Sequence, residues 1–248
     1  MALALRNLAL LDGIENRNDD ARRHYEEALN YFRQLAQQDP PSYLPDVART
    51  LMDLGNRERT QNQIEGALQH YGESYEIYSQ LARQDPGQYL PSLAKALYNL
   101  GRLDGLQNRT DEARQHFEGA LKIYRQLAEQ NPGAYLPYLA VTLNDLGSLD
   151  RFQNRTDDAR QHYEDALTCF RQLAQQNPDL YLPSVAVTLN MLGMLDENQN
   201  RIEDSLAHYK EALSLFRKLS QADHSKYNGD VARVEASLRE LNQKGHTR

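Results

Sequence analysis

Histidine returns along the chain at a fixed interval: His24, His70, His116, His162 and His208 stand 46 residues apart. Imidazole is the commonest metal ligand and carries protons near neutral pH, so such a ladder first raises metal or acid–base chemistry. Ligand atoms must lie about 2 Å from a zinc ion, whereas packed helices lie about 8–10 Å apart. Two successive histidines could share an ion; five could not make one site. Each also directly precedes an aromatic residue, Tyr25, Tyr71, Phe117, Tyr163 or Tyr209, and so stands beside a packing position. The ladder is read as structural filler or inter-repeat contact, with no metal bound.

A second ladder is acidic: Asp12, Glu58, Asp104, Asp150 and Asp196. Paired carboxylates can perform acid–base work. Each of these falls near the end of a candidate helix, shortly before the next begins. There it meets either the N-terminal amides of the following helix, which favour negative charge, or the turn arginines Arg17, Arg109, Arg155 and Arg201. Both are structural roles. Cys169 stands where the neighbouring copy has Ile123, which suits packing rather than nucleophilic attack. "NRT" at Asn108 and Asn154 fits a glycosylation acceptor. The same asparagine recurs as Asn16, Asn62 and Asn200 without the threonine, so turn chemistry covers all five. No nucleophile elbow, phosphate loop or Cys–His zinc spacing is present. No catalytic residue and no cofactor is expected, and the chain is not read as an enzyme.

The elements that position these ladders follow from the period. "YLP" occurs at Tyr43–Pro45, Tyr89–Pro91, Tyr135–Pro137 and Tyr181–Pro183. Repeats of 20–50 residues mark solenoids and arrays. Here the units are about 1–42, 43–88, 89–134, 135–180 and 181–226, with a capping helix over 227–243, all in one domain spanning 1–248. Within a unit the spacing is helical: Ala94, Leu97, Leu100, Gly101 and Leu103 make one stripe, and Ala113, Phe117, Ala120, Leu121, Tyr124 and Leu127 a second. Between them, Asn108 suits a left-handed residue past a helix end, and Thr110 or Asp111 can cap the next helix. Asp39, Asp85, Asn131 and Asn177 each precede a proline that ends a second helix. Pro45, Pro91, Pro137 and Pro183 suit the first turn of the helix that follows, with the Tyr and Leu before each stapling the chain to its neighbours. Gly55, Gly101, Gly147 and Gly193 fall mid-helix, which implies close helix approach. After Asp230 the pattern turns polar, with Arg233, Glu235, Arg239 and Glu240 among Val231, Val234 and Leu238, as a terminal cap requires.

Composition narrows the function classes. A chain that is 40% apolar and 25% charged is foldable and soluble, and its apolar runs are too short to span a bilayer. A net charge of -7 argues against a nonspecific nucleic-acid binder. One cysteine allows no internal disulfide, and "MALALRNLALLDGIENR" lacks the basic start of a signal peptide. A cytoplasmic location is expected.

The pattern of Leu97, Leu100–Gly101, Ala113, Phe117 and Ala120 resembles the tetratricopeptide repeat. The longer unit and "PDVARTLMDLG" at Pro45–Gly55 resemble its kinesin-light-chain type. The resemblance covers roughly residues 1–222 and implies an all-α, right-handed solenoid of helix–turn–helix repeats whose first helices line a concave protein-binding groove. The groove residues it implies are Arg49, Met52, Asn56, Arg59, Lys95, Tyr98, Arg102, Leu106, Asn144, Arg151, Phe152, Asn190 and Met194. These lie off the leucine stripe. Met52, Tyr98, Asn144 and Asn190 fill the row where the family's chaperone-tail clamp needs lysine, so that clamp is not expected.

The expected function is a scaffold that binds a peptide or partner domain. The ligand would carry an acidic stretch for the cationic positions and an apolar anchor for Phe152 and Met194. The alternative is a regulatory or sensor region of a larger signalling protein, working through oligomerisation or intramolecular contacts. Leu3 and Leu10 occupy places that elsewhere hold Lys95 and Arg102. They mark the N-terminal edge as a contact surface, for removed upstream repeats, a second copy of the chain or another domain.

Overall fold

The computed structural model describes residues 1–246, and among these there are eleven helices and no strand. They are α1 (Ala2–Ile14), α2 (Asn18–Gln38), α3 (Pro40–Thr60), α4 (Ile64–Gln84), α5 (Pro86–Leu106), α6 (Thr110–Gln130), α7 (Pro132–Phe152), α8 (Thr156–Gln176), α9 (Pro178–Asn198), α10 (Ile202–Ala222) and α11 (His224–His246). The chain divides into two compact units, Met1–Ile123 and Tyr124–Arg248, with the boundary inside α6. In the first, α1 packs on α2, α2 on α3, α3 on α4 and α4 on α5; in the second, α7 through α11 pack in the same consecutive way. This is the helix-pair packing of a tetratricopeptide-type solenoid.

A single residue joins each second helix to the next first helix. Asp39, Asp85, Asn131 and Asn177 sit there in an extended conformation, and each side chain accepts the amide N–H three residues on. Pro40, Pro86, Pro132 and Pro178 follow as the first helical residue, where no N–H is needed. This corrects one expectation. Pro45, Pro91, Pro137 and Pro183 do not open the helix; they lie inside it. Only one proline can hold the first position, and the one behind the capping Asp or Asn takes it. The inner proline still falls early enough to forfeit only one intrahelical bond. Tyr43 and Leu44 pack on the first core and Leu44 and Tyr89 on the second, as staples should.

The turns within repeats hold Asn16, Asn62, Asn108, Asn154 and Asn200 at φ 57–60°, the left-handed region expected of them. The capping differs from expectation. Thr110 and Asp111 lie inside α6. In the turns of the first, fourth and fifth repeats the cap residue is an arginine, Arg17, Arg155 or Arg201, with no side-chain cap bond. The arginine is held otherwise, as described below.

The two helices of a repeat meet where an aromatic ring rests on a glycine. A Cβ at Gly55, Gly147 or Gly193 would lie 2.7 Å from the ring of Tyr71, Tyr163 or Tyr209, and one at Gly101 2.9 Å from Phe117. The ring is buried in every case. At the C-terminal end, α11 buries Val234 and Leu241 and exposes Arg233, Arg239 and Glu240, the polar outer face expected of a cap.

Two predictions follow from this packing. Alanine raises helix propensity over glycine by about 1 kcal/mol, yet Gly147→Ala should lower stability by about 1–3 kcal/mol, because the Tyr163 ring cannot yield; urea denaturation measures the sign. Burial, aided by the nearby Asp53 carboxylate, pushes the Tyr25 hydroxyl from 10.0 up to about 12, and burial likewise raises Tyr71, Tyr78 and Tyr163. An unfolded chain loses those protons near pH 10 while the folded one retains them. Stability should therefore be intact below pH 10 and fall as pH rises from 10 toward 12. The share of phenolate absorbance that belongs to these buried tyrosines should then appear together with loss of helical dichroism, not before it.

Candidate functional site

The two ladders prove to be one structure. The histidine sits on the second helix, 12 residues after the acid that ends the first helix, and the tight turn brings them face to face. Nδ1 lies 2.6 Å from the carboxylate in His24–Asp12 and 2.7 Å in His70–Glu58, His116–Asp104, His162–Asp150 and His208–Asp196. The second carboxylate oxygen takes the turn arginine: Arg17 on Asp12, Arg109 on Asp104 at 2.6 Å, Arg155 on Asp150 at 3.2 Å and Arg201 on Asp196 at 3.2 Å. The backbone N–H of each of these arginines also donates to the carbonyl of the same acidic residue. Of the two partners weighed for the acids, the structure shows the arginines. The second repeat has Gln63 at the arginine position, and its acid is the longer Glu58.

All five carboxylates are buried. Arg17 and then His24 hold the Asp12 carboxyl below its ordinary range, against the opposing effect of burial. Asp196 receives a third partner, Arg160, reaching from the preceding repeat. With Arg on one oxygen and His on the other, Asp12, Asp104, Asp150 and Asp196 serve as clasps, and Glu58 is held by His70. Among the described residues no group of three or more His, Cys, Asp or Glu could hold a metal ion.

The outward face of the first helices is the remaining candidate. In the first unit Arg49, Lys95, Arg102 and Leu106 are exposed, while Asn56, Arg59 and Tyr98 are half-buried. In the second unit Phe152 is exposed, with Asn144, Arg151 and Met194 half-buried. Two residues depart from the groove expectation. Met52 and Asn190 are buried: Met52 packs in the core of the second repeat, and the Asn190 amide donates to the Met194 sulfur at 3.8 Å. Leu3 and Leu10 are exposed, 56% and 42%.

The ring-on-glycine contact decides which face residues are available. Its tyrosine hydroxyl emerges beside the first helix and needs an acceptor. Tyr71 donates to Asn56 at 2.8 Å, Tyr163 to Ser148 at 3.1 Å and Tyr209 to Glu197 at 3.1 Å. In the third repeat the ring is Phe117, which has no hydroxyl to satisfy. The corresponding place is Arg102, whose guanidinium lies over the Tyr98 ring, 5.9 Å from its centroid, and remains exposed.

Sequence reasoning missed one partner. Asp53 accepts a hydrogen bond from Arg6 at 2.8 Å. Burial pushes its carboxyl up, while Arg6, Lys95 and Arg49 pull it down. Arg6 fills the place that holds Met52, Tyr98, Asn144 and Asn190 in later repeats, and that mismatch of register was the available signal. Beside the pair, Leu10, Ile14, Tyr25, Asn56 and Arg57 line an open depression of about 270 Å³. No helix among the described residues is long and apolar enough to cross a membrane.

The clasps make a thermodynamic prediction. Asp196→Asn leaves Arg160, Arg201 and His208 around a neutral amide. Removing one partner of a buried ion pair is strongly destabilising, so a loss of about 3–5 kcal/mol is expected by urea denaturation. Asp111→Asn, an exposed acid, should change stability by less than about 0.5 kcal/mol.

Family models and solved structures agree on what such an array is. Residues 125–172 match one model and residues 47–82, 93–132 and 185–225 another, both described as tetratricopeptide repeat, and together they cover more than half of the chain. No curated protein sequence matches it. Similar solved structures include BtubC (BKLC) from P. vanneervenii, a kinesin light chain-like protein. Its TM-score is 0.60 and identity 20%, over 90% of this chain and 88% of that one. MamA aligns with TM-score 0.59 and 15% identity over 90% and 95%. The apo form of RapI aligns with TM-score 0.62 and 16% identity over 100% and 85%. At these identities the likeness concerns the fold.

Proposed function

The chain belongs to the tetratricopeptide repeat family, and on that premise we propose that it is an interaction scaffold whose outward first-helix face binds a segment of a partner protein. The observation that carries the reading is unbalanced positive charge on the first-helix face of the first unit. Asp53 is engaged by Arg6, while Arg49, Lys95 and Arg102 are exposed, with Arg49 and Lys95 near enough to Asp53 to lower its carboxyl. Exposed arginines present a planar fork suited to carboxylates, so this unit favours an acidic stretch. In the second unit Phe152 is 66% exposed, and Val141 and Val187 are exposed on the same rows. A large ring held on a rigid helix is the usual form of an apolar anchor site. Asn144, half-buried beside them, can both donate to and accept from a peptide backbone.

A photo-crosslinking residue placed at Lys95 or Phe152, in cells that make the protein, tests the face. Adducts to a protein should form at these positions and not at Lys122 or Gln172, exposed on second helices. With the captured partner purified, Arg102→Glu should slow association and flatten its salt dependence, since exposed charges mainly steer. Phe152→Ala should speed dissociation, costing about 1–3 kcal/mol. Protein adducts at Lys122 and Gln172 alone would overturn the proposal.

A further inference from the structure

Helix α1 is composed like an interior helix but has a bare flank. By the 46-residue period, Leu8 stands where Leu54, Leu100, Leu146 and Leu192 stand; those four are buried and Leu8 is 40% exposed. Leu11 is 55% exposed, while Leu103, Leu149 and Leu195 at its position are buried. Ala4 is exposed where Thr50, Ala96, Thr142 and Thr188 are buried. In the first unit the helix that covers these positions is the second helix of the repeat before. Val47, Leu51 and Leu54 share a core with Phe32 and Ala36 of α2, and Ala96, Leu100 and Leu103 share one with Tyr78 and Leu81 of α4. The bare flank continues onto α2 through Tyr31, whose counterpart Ile77 packs against the preceding repeat's core. Contiguous exposed apolar side chains of this kind mark contacts.

We propose that this flank is an interaction surface for a second copy of the chain, joined about a two-fold axis through α1. Three features favour that occupant. Met1, Ala4, Leu8 and Leu11 follow the alternating three- and four-residue spacing of a helix–helix seam, so the stripe can pack against itself. Both charges of α1 are turned away from it, Arg6 onto Asp53 and Asp12 onto Arg17 and His24, so the α1 stripes of two copies meet without like charges opposed; Glu27 of α2 lies at the flank's outer margin. The one exposed polar side chain between Met1 and Ile14 is Asn7. Its amide is both donor and acceptor and is thus complementary to its own twin. Head-to-tail stacking is the competing arrangement. It would bury Arg233 and Arg239 of α11, with the Asp230 and Glu235 that pair with them, and Glu240 against an uncharged apolar face, whereas a closed two-fold pair covers both flanks and leaves both polar caps in water.

Sedimentation velocity of the 248-residue chain from about 1 to about 100 µM tests this. The expected species at the upper end has twice the 28.5 kDa chain mass. Leu8→Lys with Leu11→Lys should weaken self-association at least about 100-fold, since it sets like charges into the seam, while helical dichroism stays unchanged; Arg102→Glu should leave the dimer intact. Should the double variant misfold, Leu8→Cys in a Cys169→Ser background replaces it. That chain should form an intermolecular disulfide under mild oxidation, and Arg239→Cys in the same background should not. A monomer at about 100 µM, a dimer that survives both lysines, or cross-linking at residue 239 but not at residue 8 would overturn the proposal.

Discussion

An aromatic ring pressed onto a glycine sets the spacing of the two helices in the second to fifth repeats, and the other recurring contacts depend on that approach. Without a Cβ at Gly55, Gly101, Gly147 or Gly193 the ring enters until it is almost wholly buried. At that depth a tyrosine hydroxyl passes the first helix and meets Asn56, Ser148 or Glu197 on the far side. The histidine directly before the ring is then carried to the acid three residues beyond the glycine, as in Gly147, Asp150, His162 and Tyr163. Mid-helix glycine costs about 1 kcal/mol of helix propensity, and each repeat offsets it through a buried ring and a clasp at the turn, with a satisfied hydroxyl where the ring is Tyr71, Tyr163 or Tyr209. The first repeat has Ala9 in that place, with Tyr25 still buried against the same core.

The clasp joins groups whose chemistry is usually met apart. A carboxylate, an imidazole and a guanidinium within hydrogen-bond distance would be a promising reactive set in an open cleft. Here the acid is buried beneath the other two, and its oxygens are divided between them. Burying such a charge is costly unless every lone pair finds a donor. The turn arginine meets that demand by folding back over five residues, and in Asp196 a further arginine from the repeat before adds to it. The array is therefore tied at its turns by charge as well as along its stripes by apolar contact.

Much of this was legible in the sequence, because a 46-residue period with two helical stripes admits few other folds. The five left-handed asparagines were legible too, since a residue that recurs without its glycosylation partner must answer to backbone geometry. The capping and proline assignments were not. Two prolines and several capping residues crowd each junction, and only the positions of the helix ends decide among them. The pairing of His116 with Asp104 lay across a turn whose path a linear spacing does not show. Met52 and Asn190 leave the leucine stripe, which places them on the surface in a reading of the sequence, but the buried stripe is wider than the leucines alone and takes in both. The identity of a bound partner depends on exposed side chains such as Arg102 and Phe152, which no packing rule fixes.

The single-residue joint between repeats bears on how such a chain can change over generations. Between Gln38 and Pro40, or Gln84 and Pro86, there is one residue and no slack. Inserting or losing a residue within a helix turns everything beyond it by about 100°, carrying leucines to the surface and arginines to the interior, and the joint cannot absorb the error. Small length changes are therefore selected against almost everywhere, while duplication or loss of an entire unit preserves every contact. The lineage is free to drift in side chains and to lengthen by whole copies, and the close likeness of neighbouring repeats such as 89–134 and 135–180 is the trace such growth leaves.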